Sequence, residues 1–254
     1  MRPGARLAAT GLIVFIVTLV AGIPASVAVG WFAPDAAGFS GTAGTIWRGS
    51  AHSIAIGGAR LGETSWKLSP IALLRGRLAA KVRTSLGDGV AEGNLAVAIT
   101  GSIACSACRY QGRIRNLQTL LPALAALDGR ADIQFESFEM RDAWPSRVVA
   151  TVTVHDVALG PPGDSTIESA LAAFEAKVDA DPVADNAPIE ATIADIGGPV
   201  EVDGRLVLQP PGSFTFSGRA RSRPGAPPAV VSALGVLGPR GSDGSTELSF
   251  SGSL

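Results

Sequence analysis

From Arg77 to Leu86 the chain alternates strictly, with Leu78, Ala80, Val82, Thr84 and Leu86 set against Arg77, Ala79, Lys81, Arg83 and Ser85. A period of two with one apolar and one basic side predicts a strand in a sheet covered on one face and wet on the other. The pattern returns along the chain. Leu95, Val97 and Ile99 carry it; Ala131, Ile133 and Phe135 oppose Asp132, Gln134 and Glu136; Phe174, Ala176 and Val178 oppose Glu175, Lys177 and Asp179. Phe214 with Phe216, then Leu248 with Phe250, repeat it near the end. Arg147 to His155 is β-branched on both sides, which predicts a central strand.

Short helices are predicted between the strands. Ser69-Pro70 before Ile71–Leu74, followed by Gly76, supplies a cap, a first-turn proline and a terminal glycine in order. Asn116 can cap a helix over 117–127, and Ser165 to Glu168 has capping-box spacing before Ala170-Leu171-Ala172. A fourth helix, Pro228 to Leu237, ends at Gly238-Pro239. These are too short for the helical layers of a parallel α/β sheet. The expected fold class is mainly β, an elongated, curved antiparallel sheet with a few short helices on one face. A brief echo links Leu73-Leu74-Arg75-Gly76-Arg77-Leu78 with Ala126-Leu127-Asp128-Gly129-Arg130-Ala131. It raises a division into two lobes near 160–165, at the Gly160-Pro161-Pro162-Gly163 segment, but is too short to count as a repeat.

The N-terminus breaks the alternation. Leu7 to Pro34 carries no charge and has a strongly apolar core from Leu12 to Ala21, and this stretch supplies the ~20 residues that cross a bilayer. Arg2 and Arg6 precede this run and Asp35 is the first charge after it, so the positive-inside bias keeps the start cytoplasmic. The expected layout is a cytoplasmic stub over 1–6, a transmembrane signal anchor over 7–32 and a strand-rich periplasmic domain over 35–254. Trp31 and Phe32 stand where interfacial aromatics belong. A cleaved signal peptide is the competing reading, because Ser26-Val27-Ala28 offers small residues at the cleavage positions. The run exceeds the usual 7–15-residue signal core, which favours a retained anchor. Either reading exports the domain.

Composition narrows the class. Only 17% of residues are charged, against ~25% in soluble domains, while Gly 31 and Pro 17 suit a turn-rich β-protein. Removing Arg2 and Arg6 from the 21 basic residues leaves 19 against 22 acidic ones, so the exported part carries no basic excess for nucleic acid.

Candidate chemistry is sparse. His52 and His155 lie near no motif, and no nucleophile elbow, phosphate loop or H-E-x-x-H occurs. Cys105-Ser106-Ala107-Cys108 lies between the strands predicted over 95–99 and 109–114. A disulfide stapling a turn is the preferred reading in an oxidising compartment. Zinc would need two more ligands, a redox site would need a βαβ setting, and a reduced pair is the remaining alternative. Trp47 and Trp66 read as core anchors or, alternatively, surface contacts.

Four segments resemble a known family. Gly44-Thr45-Ile46-Trp47-Arg48-Gly49-Ser50-Ala51 is followed by Gly62 to Leu78, a segment that contains Trp66, Pro70 and Gly76. This succession is similar to the type II secretion system protein N family (general secretion pathway protein N), as are Gly198-Pro199-Val200-Glu201-Val202-Asp203-Gly204 and the closing stretch Val231 to Leu254. The resemblance implies a non-catalytic, bitopic accessory of the bacterial inner membrane that helps move folded proteins from the periplasm across the outer membrane. Its partners would be other secretion components and, through its N-terminal helix, the bilayer. The family offers no catalytic residues, metal or cofactor to carry over, and no nucleic acid or small-molecule substrate is expected. A rival from another class is a lipid-bridging protein of the AsmA type, whose groove would be lined by Leu78, Val82 and Leu95.

Overall fold

The computed structural model describes residues 22–27, 37–56, 59–118, 128–141, 144–158, 171–181, 183–184, 186–237 and 241–253. Thirteen strands make one antiparallel sheet. One edge is formed by β2 (Ala43–Gly44), β3 (Arg48–Ala51) and β6 (Thr64–Leu68). A small separate sheet, ordered β1 (Ala37–Ser40), β4 (Ser53–Ile56), β5 (Ala59–Leu61), branches off between β3 and β6. From there the sheet runs as a meander in chain order. It passes through β7 (Arg77–Leu86), β8 (Gly89–Ala98), β9 (Ile103–Arg113), β10 (Arg130–Arg141) and β11 (Trp144–Ala158). It continues through β12 (Leu171–Ala180), β13 (Ile189–Gly197), β14 (Val200–Gln209), β15 (Ser213–Ser222) and β16 (Thr246–Ser253). Thirteen strands span ~60 Å across the sheet against ~33 Å along ten-residue strands, so the sheet is elongated. β11 pairs with β12 from Val148↔Ala180 to Ala158↔Leu171, with a register shift between Val154 and Val157.

Partners in an antiparallel ladder share a face, so the register carries one face from strand to strand. Trp66 faces Val82, Leu95 faces Ala80, Ile133 faces Tyr110 and Val152, Val152 faces Ala176, and Leu206 faces Phe216. This apolar face is continuous from β6 to β16. Two neighbouring bulges keep it so: relative to the flanking strands, β9 gains a residue at Ala107 and β10 gains one at Glu136. Each extra residue resets the pleat, so Phe135 and Phe138 lie on the same face despite their odd spacing, with ring centroids 5.9 Å apart.

Three clusters cover parts of this face. Helix α2 (Pro228–Leu237) lays Val230 and Leu234 on Val200, Ala220 and Leu248. A 3₁₀ turn, Ile114–Leu117, closes over Leu86, Tyr110 and Ala131. Between them Val148, Ala150 and Ile189 are buried beneath Trp144 and Val183.

Several expectations are revised. Helix α1 (Pro70–Leu73) forms where Ser69-Pro70 predicts it, but the Ser69 side chain makes no capping bond. α1 also does not join the other helices on the apolar face: it shares a cleft with Ala79 and Ala96 of the opposite face, because it only links the hairpin β6–β7 at its end. Asn116 is not a helix cap. It sits inside the 3₁₀ turn and donates to Asp88 Oδ1 at 2.6 Å; most of 117–127 lies outside the described residues. Leu171-Ala172 begin β12, and the rest of the predicted 165–172 helix is likewise outside. Cys105 and Cys108 lie within β9, not in a turn between strands.

Of the predicted anchor 7–32, only 22–27 is described. There the Ile23 carbonyl accepts the Ile46 N–H at 3.0 Å, Pro24 bridges to Thr45, and Ala25 is buried. Among the described residues no helix is long and apolar enough to cross a membrane.

Candidate functional site

The motif Gly44 to Gly49 builds the β2–β3 turn at the sheet edge. Gly44 adopts φ +85°, and a β-carbon there would stand 2.5 Å from the Arg48 carbonyl oxygen, so only glycine fits. Thr45 N–H donates to the Arg48 carbonyl at 2.9 Å, and the Thr45 hydroxyl accepts the Arg48 N–H at 3.3 Å. Thr45 also bridges to Pro24, so this turn receives the chain arriving from the N-terminal run.

Trp66, on the neighbouring strand, locks the turn from above. Its indole N–H donates to the Ile46 carbonyl at 3.1 Å, and its six-membered ring lies over Gly49. A β-carbon on Gly49 would stand 2.5 Å from Trp66 Cζ2. The Trp47 carbonyl accepts Leu68 N–H at 2.8 Å, which extends the turn's grip to the start of α1. Trp47, in the β2–β3 turn, and Trp66, on β6, are both half-buried rather than core. Pro70 opens α1, and Gly76, at φ +69°, turns the chain into β7 while its carbonyl accepts Ile99 N–H at 3.2 Å.

The late motif uses the same device elsewhere. The Phe216 ring lies over Gly204, where a β-carbon would stand 2.5 Å from Cε2. Gly198 and Pro199 make the β13–β14 turn, and both their carbonyls are held by Arg223, through Nη1 at 2.9 Å and its backbone N–H at 2.8 Å. Arg223 also pairs with Asp195, whose side chain is only 6% exposed and whose second oxygen accepts Val202 N–H at 2.9 Å. Sequence reasoning missed this pair. Asp195 falls on the apolar face opposite Phe174, and one acid in an apolar register was the available signal.

The structure brings the sulfurs of Cys105 and Cys108 within bonding distance, with Cα atoms 6.0 Å apart, as the expected disulfide requires. Residues three apart in a regular strand are separated by ~10 Å. Ala107, at φ +50°, provides the bulge that closes the gap and turns both sulfurs to the apolar face. Gly93 on β8 leaves room for Cys108, whose sulfur a β-carbon there would overlap.

The polar face is a lattice of ion pairs. Asp132 accepts from Arg109 Nε at 3.2 Å and Nη2 at 2.6 Å, and from Gln111 and Gln134. The Arg109 hydrogen bond, chiefly, holds its carboxyl below the usual range, against a smaller opposing effect of burial. Asp88 is likewise lowered, first by its bond from Asn116, and burial raises the Tyr110 phenol. Among the described residues no three His, Cys, Asp or Glu side chains converge, and His52 and His155 are exposed on separate elements.

By fold, then, this is an antiparallel β-protein built on one large sheet, whose motif residues build turns and seat aromatic rings over glycines. The family model for type II secretion system (T2SS), protein N matches residues 36–249, and the chain belongs to that family, a component of the type II secretion apparatus. No curated protein and no solved structure matches the chain.

Proposed function

We propose that this chain is a non-catalytic, single-pass accessory of the bacterial inner membrane that assists type II secretion through contacts with other secretion components. The family match over 36–249 carries the reading. The run from Leu7 serves as a retained anchor behind a cytoplasmic stub over 1–6, and the strand-rich domain over 35–254 lies in the periplasm. The grip of Thr45 and Ile46 on Ile23 and Pro24 supports retention, since cleavage after Ala28 would remove residues that the folded domain holds. On this reading the anchor ends before the residues that Thr45 and Ile46 hold. The family match lends no support to the lipid-bridging alternative.

Site-specific crosslinking from the polar face of the full-length protein, in membranes of a secreting cell, tests the role. Recovery of other secretion components is expected. Recovery of none, with secretion unchanged on deletion of the gene, overturns it. An intact-mass measurement showing a mature chain that begins at Val29 overturns the anchor and leaves the export.

A further inference from the structure

Between residues 36 and 81 the sequence holds six Lys or Arg and one acid, Glu63. The fold gathers five of these cations at one corner. Arg48, Lys67 and Lys81 are direct cross-strand neighbours on the polar face, in register as Arg48↔Lys67↔Lys81. Arg75 and Arg77 follow α1 at the same end of the sheet. Like charges directly opposite one another destabilise a sheet. Elsewhere on the polar face Arg83, Arg109, Arg113, Arg147, Arg205 and Arg221 each have an acid partner. Among the described residues Arg48, Lys67, Lys81, Arg75 and Arg77 have none, and all five are exposed.

The same corner exposes apolar side chains at its tip. Ile71 is 65% exposed, Leu74 89% and Ile99 89%. They stand together, because Ile99 N–H donates to the Gly76 carbonyl just after α1. The corner is also where the N-terminal run enters the domain, since the turn that holds Ile23 and Pro24 leads directly into Arg48. No slack chain separates the two. On the anchor reading, the run ends beside this corner, which keeps the corner close to the bilayer.

We propose that this corner rests on the anionic surface of the bilayer that holds the anchor. Leu74, Ile71 and Ile99 enter the headgroup region, while Arg48, Lys67, Lys81, Arg75 and Arg77 meet lipid phosphates. The division of apolar tip from basic flank is that of interfacial membrane-binding elements. The proposal rests on the anchor reading, and the following test separates the two.

Full-length protein carrying Cys105→Ser and Cys108→Ser is reconstituted into vesicles of phosphatidylglycerol and phosphatidylcholine. An environment-sensitive fluorophore is attached at Leu74→Cys, Ile99→Cys or, at the opposite end of the sheet, Ser242→Cys. Probes at 74 and 99 should shift to the blue and be quenched by headgroup-proximal spin-labelled lipid, and the probe at 242 should not. Lys67→Gln with Lys81→Gln, or pure phosphatidylcholine vesicles, should weaken the quenching. A cation near an anionic surface changes the docked-to-undocked ratio about fivefold, so the pair changes it ~25-fold. If the chain stays in the membrane under alkaline extraction but both probes report water, the docking is refuted and the anchor stands. If alkali releases the chain, both fall. If the probes are wet in vesicles but shielded in secreting membranes, the corner binds an acidic protein and the proposal fails.

Discussion

Gly49→Ala tests whether the family motif is an architectural device. The added β-carbon would lie 2.5 Å from Trp66 Cζ2, 2.8 Å from Cε2 and 2.9 Å from the Ala43 carbonyl oxygen. Real β-carbons do not approach within 3.0 Å, so the ring or the edge strand must move. The ring is tethered by its N–H to the Ile46 carbonyl at 3.1 Å, and moving it strains that bond. Overpacking of this kind costs about 1–3 kcal/mol, and loss of the hydrogen bond adds about 0.5–1.5 kcal/mol. At ~2–4 °C per kcal/mol for a domain of this size, the melting temperature should fall by several degrees. Scanning fluorimetry of the detergent-solubilised full-length protein reads it directly. A double-mutant cycle with Trp66→Ala isolates the contact. Without the ring, Gly49→Ala meets only the Ala43 carbonyl, so the double mutant should be more stable than the summed singles by about 1–3 kcal/mol. A Gly49→Ala protein that melts like wild type, or a strictly additive cycle, refutes the ring-over-glycine account.

Leu234→Ala should destabilise the protein by about 2–5 kcal/mol, measured by urea unfolding, because Leu234 is buried with Val230 over Val200, Ala220 and Leu248. Asp132 is held below its ordinary pKa mainly by Arg109, so its contribution to stability is present above the unfolded value near ~3.9 and is lost as pH falls through the lower folded value. Asp132→Asn should therefore lose less melting temperature than wild type on acidification below about pH 4; parallel curves would count against the pairing. Replacing Cys105 and Cys108 together by serine should lower the melting temperature by only a few degrees, since a bridge with two intervening residues removes little denatured-state entropy. Thiol labelling of protein taken directly from the periplasmic face should find neither cysteine free, and two labelled cysteines would rule out the bond in the cell.

The face that each strand buries was legible from local pattern alone. Arg77 to Leu86, Ala131 to Phe135 and Phe174 to Val178 alternate because a pleated strand points successive side chains to opposite faces, and the structure has strands at all three. Family membership was equally local, carried by glycines and tryptophans at fixed spacing between Gly44 and Gly76. What depends on partners distant in sequence was not legible. The bulges at Ala107 and Glu136 exist only relative to β8 and β11, so the placement of the cysteine bridge inside a strand could not be read from the spacing of two cysteines. Asn116 looked like a cap because caps are defined locally, whereas its partner Asp88 lies one hairpin away. Asp195 and Arg223 meet only because β14 and β15 intervene and fold back. The row Arg48, Lys67 and Lys81 is scattered in sequence and becomes one line of charge only through the β3–β6–β7 register, because cross-strand neighbours are set by pairing and not by position in the chain.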